Sequence, residues 1–206
     1  MYKIIDHPLI KSKLSIMRDK KTNSTTFRTN LTELAQFMAY EVTKDLKTVT
    51  YDIQTPLEKT KGYKLKENVV LVPILRAGLG MLDGFKNMLP DAPVGFIGLY
   101  RNEKTFKPVD YYCKMPDSIK GANVLLLDPM LATGHSSAAA IAKIKQFKPK
   151  SITFVCIVSA PQGIKVVEKD HPEVPIFTAS LDRTLNAKKY ILPGLGDAGD
   201  RIFGTK

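Results

Sequence analysis

A chain of 206 residues that is 44% apolar and 25% charged is long enough for one substantial core, and a single domain over residues 1–206 is expected. No apolar run approaches a membrane span and the Met1–Asp6 segment lacks the apolar core of a signal peptide, so a membrane partner is excluded and the cytoplasm is the expected location. The net charge of +11 suits polyanionic substrates, but its lysines are diffuse and no RNA-recognition motif with interleaved aromatics accompanies them, which argues against nucleic acid as a partner.

The elements follow in chain order. Asn30-Leu31-Thr32-Glu33 offers a capping-box start, and Leu31, Leu34, Met38, Val42 and Leu46 recur at helical spacing, which predicts a long amphipathic helix whose stripe is core. Residues 58–66 are lysine-rich and linker-like. Residues 70–75 form an apolar strand candidate, and Arg76-Ala77-Gly78-Leu79-Gly80 follows it, placing a guanidinium and two flexible positions at a strand-to-helix switch. A second run, 94–100, ends at Arg101. Residues 104–115, with Phe106, Pro108, Tyr111 and Tyr112, are too polar for a core strand.

The most informative stretch comes next. Val124 to Leu127 read as a short buried strand, and Asp128 sits where that strand emerges. Pro129, Met130, Leu131 and Ala132 lead to Thr133, Gly134, His135, Ser136 and Ser137, and then to an alanine-rich helix over 138–147. Backbone N–H groups and hydroxyls at such a helix start make an anion pocket. A carboxylate five residues before that pocket suits a ribose 5-phosphate. Strands at 151–158 and 174–179 flank a helix entered at Ser159-Ala160-Pro161. The tail, 190–201, packs three glycines, a proline and two acids into one loop with exposed backbone. Alternating strand and helix gives an α/β fold, a mainly parallel sheet flanked by helices, with the four candidate segments at one sheet edge. Cys113 and Cys156 have no metal-ligand spacing, and Cys156 falls in an apolar run where a buried thiol is the default, in keeping with a reducing compartment. His7 and His171 each precede a proline and are read as loop residues without triad or metal partners.

The Asp-Pro-Met-Leu-Ala-Thr-Gly wording of residues 128–134 resembles the donor loop of the phosphoribosyltransferases, and of their uracil branch in particular. The tail Pro-Gly-Leu-Gly-Asp-Ala-Gly-Asp, His7-Pro8-Leu9, Ile16-Met17-Arg18-Asp19 and Met38-Ala39-Tyr40-Glu41 are similar too, so the likeness covers nearly the full length. It implies transfer of ribose 5-phosphate from phosphoribosyl pyrophosphate (PRPP) to uracil, giving UMP and diphosphate in pyrimidine salvage. By that resemblance Asp128, Pro129, Met130, Leu131, Ala132, Thr133, Gly134, His135 and Ser136 bind the donor, with Arg76 and Arg101 on its pyrophosphate. Ile191, Gly196, Asp197 and Ala198 contact uracil, Asp197 also reaching the donor; Asp128, Asp197, Arg76 and Arg101 form the catalytic set.

The resemblance further implies a cis Arg76–Ala77 bond, a projecting β-arm at 104–115 serving as dimer contact or active-site flap, a homodimer or higher homo-oligomer, and GTP as a candidate activator. Pro129 stands where most relatives carry a second acid, so no metal ligand is expected from the loop, and Mg²⁺ would arrive on the diphosphate of the donor. His135 stands where the uracil enzymes usually carry glycine. The alternative is an RNA-binding regulator built on the same fold; such regulators resemble the paired-acid loop type and lack this tail.

Overall fold

The computed structural model describes residues 1–101 and 108–205. In chain order it holds β1 (Tyr2–Ile4), α1 (Pro8–Arg18), α2 (Ser24–Thr43), β2 (Thr48–Gln54), β3 (Lys59–Leu65), β4 (Val69–Leu75) and α3 (Leu79–Met88). There follow β5 (Phe96–Arg101), β6 (Pro108–Lys114), β7 (Asn123–Leu127), β8 (Met130–Leu131), α4 (His135–Lys145), β9 (Ser151–Ser159) and α5 (Pro161–Asp170). The chain closes with β10 (Ile176–Leu181), β11 (Thr184–Leu185), β12 (Ile191–Leu192) and α6 (Ala198–Phe203).

The main sheet runs β1-β10-β9-β7-β4-β5-β6, with β8 also on β9. Its pairings are parallel except for β6, which returns antiparallel along β5. Parallel strands are buried on both faces, and the sequence obeys: β4 and β7 are almost continuous Val, Leu and Ile. The two-residue period sends Val69, Leu71, Leu125 and Leu127 to one face, where α1, α2, α3 and α6 cover them. Val70, Val72, Val124 and Leu126 meet α4 and α5 on the other. The α/β architecture expected from the alternation is therefore present. Because β4, β5 and β7 point the same way, Leu75, Arg101 and Leu127 finish at one edge, and the residues after them share that edge.

Several local expectations change. The long helix starts at Ser24, capped by the Asn23 side chain, which accepts the Thr26 N–H; Asn30 lies mid-helix and donates to the Thr26 carbonyl. Phe27, fully buried, extends the apolar stripe by a turn, while Leu46 falls beyond the helix end. The linker-like 58–66 is mostly strand: β3 pairs antiparallel with β2 in a hairpin separate from the main sheet. That hairpin stands off the main sheet as an arm, whereas the described part of 104–115 belongs to the main sheet. Of 104–115, residues 104–107 with Phe106 lie outside the described residues, and Pro108–Lys114 is the β6 edge strand, spliced to β5 with a register shift at Gly98/Leu99.

His171 is not a plain loop residue either. It is buried at the end of α5, its Nε2 bonded to the Ala138 carbonyl of α4 (2.9 Å) and its Nδ1 to Lys145 Nζ (2.7 Å). His7 caps α1 by accepting the Leu9 N–H. Cys156 is buried as expected, and desolvation pushes its thiol up to about 12, so it is inert as a nucleophile.

Candidate active site

Asp128 follows the last residue of β7, at the carboxyl edge of the sheet. It is half-buried. Desolvation pushes its pKa up to about 7, opposed among the described residues by the Met130 N–H, 3.2 Å from Oδ1. A carboxylate short of donors at a strand end is prepared to accept hydroxyls.

After β8 the chain enters the anion turn. Gly134, with φ +82°, is the N-cap of α4 and no side chain caps it, so the first N–H groups of an eleven-residue helix face outward. The left-handed position is therefore Gly134, and His135 is the first helical residue, exposed and free of the backbone penalty that a positive φ would impose. A second glycine shapes the turn from outside. A Cβ on Gly163 of α5 would lie 2.6 Å from the Ala132 carbonyl and 2.7 Å from that of Leu131, so only glycine lets α5 press against the loop backbone. Sequence reading missed Gly163; its one signal is a glycine interrupting a helical segment, here explained by packing.

The Arg76 turn lies beside Asp128. Gly78 sits so close to β7 that a Cβ there would be 2.4 Å from the Leu127 carbonyl. Arg76 itself is exposed, its guanidinium 5.8 Å from the Phe203 ring centroid and 3.7 Å from Asp200 Oδ1. The non-proline cis bond of this turn is Leu75–Arg76, one residue earlier than expected at Arg76–Ala77. Arg101 is placed by its backbone, as the last residue of β5.

The tail meets the same turn. Gly199 at the start of α6 lies within 3.9–4.0 Å of Arg76 Nη2 and the Ala77 Cβ, measured from its ideal Cβ position. Asp197 caps α6 by accepting the Asp200 N–H (2.9 Å) and is itself exposed, as is Gly196, whose φ is +82°. Ile191 and Ala198 turn their side chains into the core, 3% and 1% exposed, leaving only main chain to offer a ligand. The tail is more regular than an open loop: Ile191–Leu192 pairs with β11, and Ala198 to Arg201 belong to a helix. Helix capping by Asp197 overrides the glycine content that argues against helix. Among the described residues no group of three or more His, Cys, Asp or Glu is arranged to hold a metal.

The site thus gathers a desolvated carboxylate, an uncapped helix N-terminus, a guanidinium and a glycine-rich segment along one sheet edge. The family model for uracil phosphoribosyltransferase matches residues 4–205. The chain belongs to the uracil phosphoribosyltransferase family. Relatives bearing that name include those of Malacoplasma penetrans, 59% identical over 98% of both chains, Ureaplasma parvum, 59% over the whole of both, and Polaromonas naphthalenivorans, 53% over 98% of both. A solved structure from Aquifex aeolicus superposes with a TM-score of 0.95 at 40% identity, covering 100% of this chain and 99% of that one. A purine phosphoribosyltransferase from Pyrococcus horikoshii, at 20% identity and a TM-score of 0.52 over 74% of this chain and 82% of that one, shares the fold.

Proposed function

We propose that this chain, acting as a single domain, transfers the 5-phosphoribosyl group of PRPP to N1 of uracil, giving UMP and diphosphate. The observation that carries the reading is the convergence of Asp128, the uncapped α4 N-terminus, Arg76 and the Asp197 tail on one sheet edge, in a chain that matches the family from end to end.

Loss of diphosphate leaves positive charge on the ribose ring, so the reaction needs alignment and anion stabilisation more than a nucleophile. In this reading Asp128 accepts the ribose hydroxyls. The 133–136 turn holds the 5′-phosphate, with Pro129, Met130, Leu131 and Ala132 lining the approach. Arg76 and Arg101 hold the diphosphate, while the backbone of Ile191, Gly196 and Ala198 reads the uracil edge and Asp197 spans donor and base. A metal would supply charge neutralisation on the diphosphate. With Pro129 in place of a second acid after Asp128, the loop offers the ion no carboxylate pair, which fits Mg²⁺ arriving on the diphosphate of the donor.

A homodimer or higher oligomer belongs to the reading, because the β2–β3 hairpin stands off the main sheet with Tyr51, Leu57 and Tyr63 exposed, and an isolated hairpin is marginal in water. The cytoplasm, where the Cys156 thiol stays reduced, is the compartment that fits. The test incubates the purified protein with PRPP, Mg²⁺ and a panel of bases, with and without GTP. UMP from uracil is expected, favoured over cytosine by on the order of 10⁴ because cytosine mismatches buried donors and acceptors. Comparable turnover of hypoxanthine or orotate would overturn it.

A further inference from the structure

The glycine-rich tail is held by two arginines not yet given a role, Arg18 from outside it and Arg201 from its own helix. Arg18, at the end of α1, grips Asp182 bidentately, Nη1 to Oδ2 at 2.7 Å and Nη2 to Oδ1 at 2.6 Å. It also donates to the Gly194 carbonyl (2.7 Å) and to Ser180 Oγ (3.1 Å). Asp182, its side chain 2% exposed, accepts in addition from the Gly194 N–H (2.9 Å) and from Ser180 Oγ (2.7 Å). Both backbone groups of Gly194 are therefore bound, one by each member of an ion pair. Burial alone would raise the Asp182 pKa; Arg18, Ser180 and the Gly194 N–H together hold it below the usual carboxylate range.

The next residue has its own guanidinium. Arg201 donates to the Leu195 carbonyl (2.9 Å), to the carbonyls of Asp19 (2.7 Å) and Thr22 (3.3 Å), and to that of Met17, and its guanidinium lies 4.5 Å from the Phe27 ring centroid. Gly194 and Leu195 are thus pinned from both sides to the α1–α2 corner, immediately before Gly196 and Asp197.

We propose that the Arg18–Asp182 pair, seconded by Arg201, is the positioning device of the base-recognising loop: it holds Gly194–Leu195 so that the 196–198 backbone is presented to uracil already in its bound shape. The inference rests on the reading that this tail binds the base. A loop with glycines at 194, 196 and 199 has many conformations to lose, and ordering it on binding would be charged against base affinity. If only a fraction of molecules held the competent loop, apparent affinity for uracil would fall by that fraction. The donor, held chiefly by the α4 N-terminus and Arg76 and reached from this segment by Asp197 alone, would feel less of this. Arginine is required because the contact is a fork to one carboxylate plus a carbonyl and a hydroxyl; lysine keeps the charge and loses the fork.

The test is steady-state kinetics of Arg18→Lys and Asp182→Asn, with the double variant Arg18→Met/Asp182→Leu, which leaves no unpaired buried charge, as the version that keeps the fold. The expected result is a rise in the KM for uracil of about tenfold or more in each folded variant, with the KM for PRPP within about threefold. Methylguanidinium added to Arg18→Ala should lower the uracil KM again while leaving the PRPP KM unmoved. Wild-type protein that forms no UMP would defeat the functional reading itself. Wild-type activity together with unchanged uracil KM values, or with both KM values rising in proportion, would overturn the positioning role alone.

Discussion

The two halves of the site are built by different physics. The donor half is a product of neighbouring residues: β7 delivers Asp128, Gly134 turns the chain, and α4 begins at once, so its geometry follows from strand burial, one positive φ and a helix start. The acceptor half is ordered at its two ends, where Ile191–Leu192 bridges to β11 and Asp197 caps α6. The Gly194–Leu195 link between them takes its shape from guanidinium groups, Arg18 reaching it from α1 and Arg201 from α6. A site made of backbone tolerates surface change and fails through sterics. One made of charged clamps fails through single distant side chains.

The largest single effect is expected at Arg76. Arg76→Ala should cost roughly 2–4 kcal/mol in kcat/KM for PRPP by removing a charge-assisted contact to diphosphate. Thermal melting should barely move, since the side chain is 58% exposed. Unaltered kinetics at subsaturating PRPP would remove it from the donor half. Gly163→Ala tests the steric claim: with carbonyls at 2.6 and 2.7 Å from the new methyl, the loop backbone has to shift, at about 1–3 kcal/mol of stability. PRPP affinity should weaken along with melting temperature, whereas a variant with native melting would mean that α5 yields freely.

Asp128 gives the comparison a pH signature. Its folded pKa, about 7, lies above the unfolded value of 3.8, so the folded protein keeps a proton that the unfolded chain would release. The sign follows: this group favours the free fold most below about pH 4, and that contribution declines as pH rises towards 7. Ribose hydroxyls donate to the ionised form, so PRPP binding should tighten as pH rises through about 7. Asp128→Asn should raise the melting temperature of the ligand-free protein at pH 8 while weakening PRPP binding and removing the tightening that wild type shows as pH rises through about 7. A lower melting point at pH 8 would contradict the desolvation argument. The smallest effect is expected at His135, exposed at the helix start: His135→Gly should keep PRPP affinity within about threefold. A large loss would make the imidazole a phosphate ligand.

This division also decides what could be read from the sequence. The central strands, the turn before α4 and the mainly parallel character of the sheet were legible because hydrophobic runs, Asp128 and Gly134 act within a few residues of one another, whereas the strand order and the short strands β1 and β8 were not. The tail was legible as a glycine-rich segment but not as a held one, since Arg18 stands 164 residues from Asp182 and 176 from Gly194. The β2–β3 hairpin was obscured by lysines at 59, 61 and 64, which read as solvated linker when no core face selects a register. His171 looked like a loop histidine because its partners, Ala138 and Lys145, lie on another helix.

The most direct test of this division is a crossed measurement, with both Michaelis constants determined for Arg76→Ala and for Asp182→Asn under one set of conditions. The account predicts opposite patterns: Arg76→Ala raises the constant for PRPP and spares uracil, and Asp182→Asn raises the constant for uracil and spares PRPP. Proportional increases in both constants for both variants would show one cooperative site, and would contradict the claim that its halves are held separately.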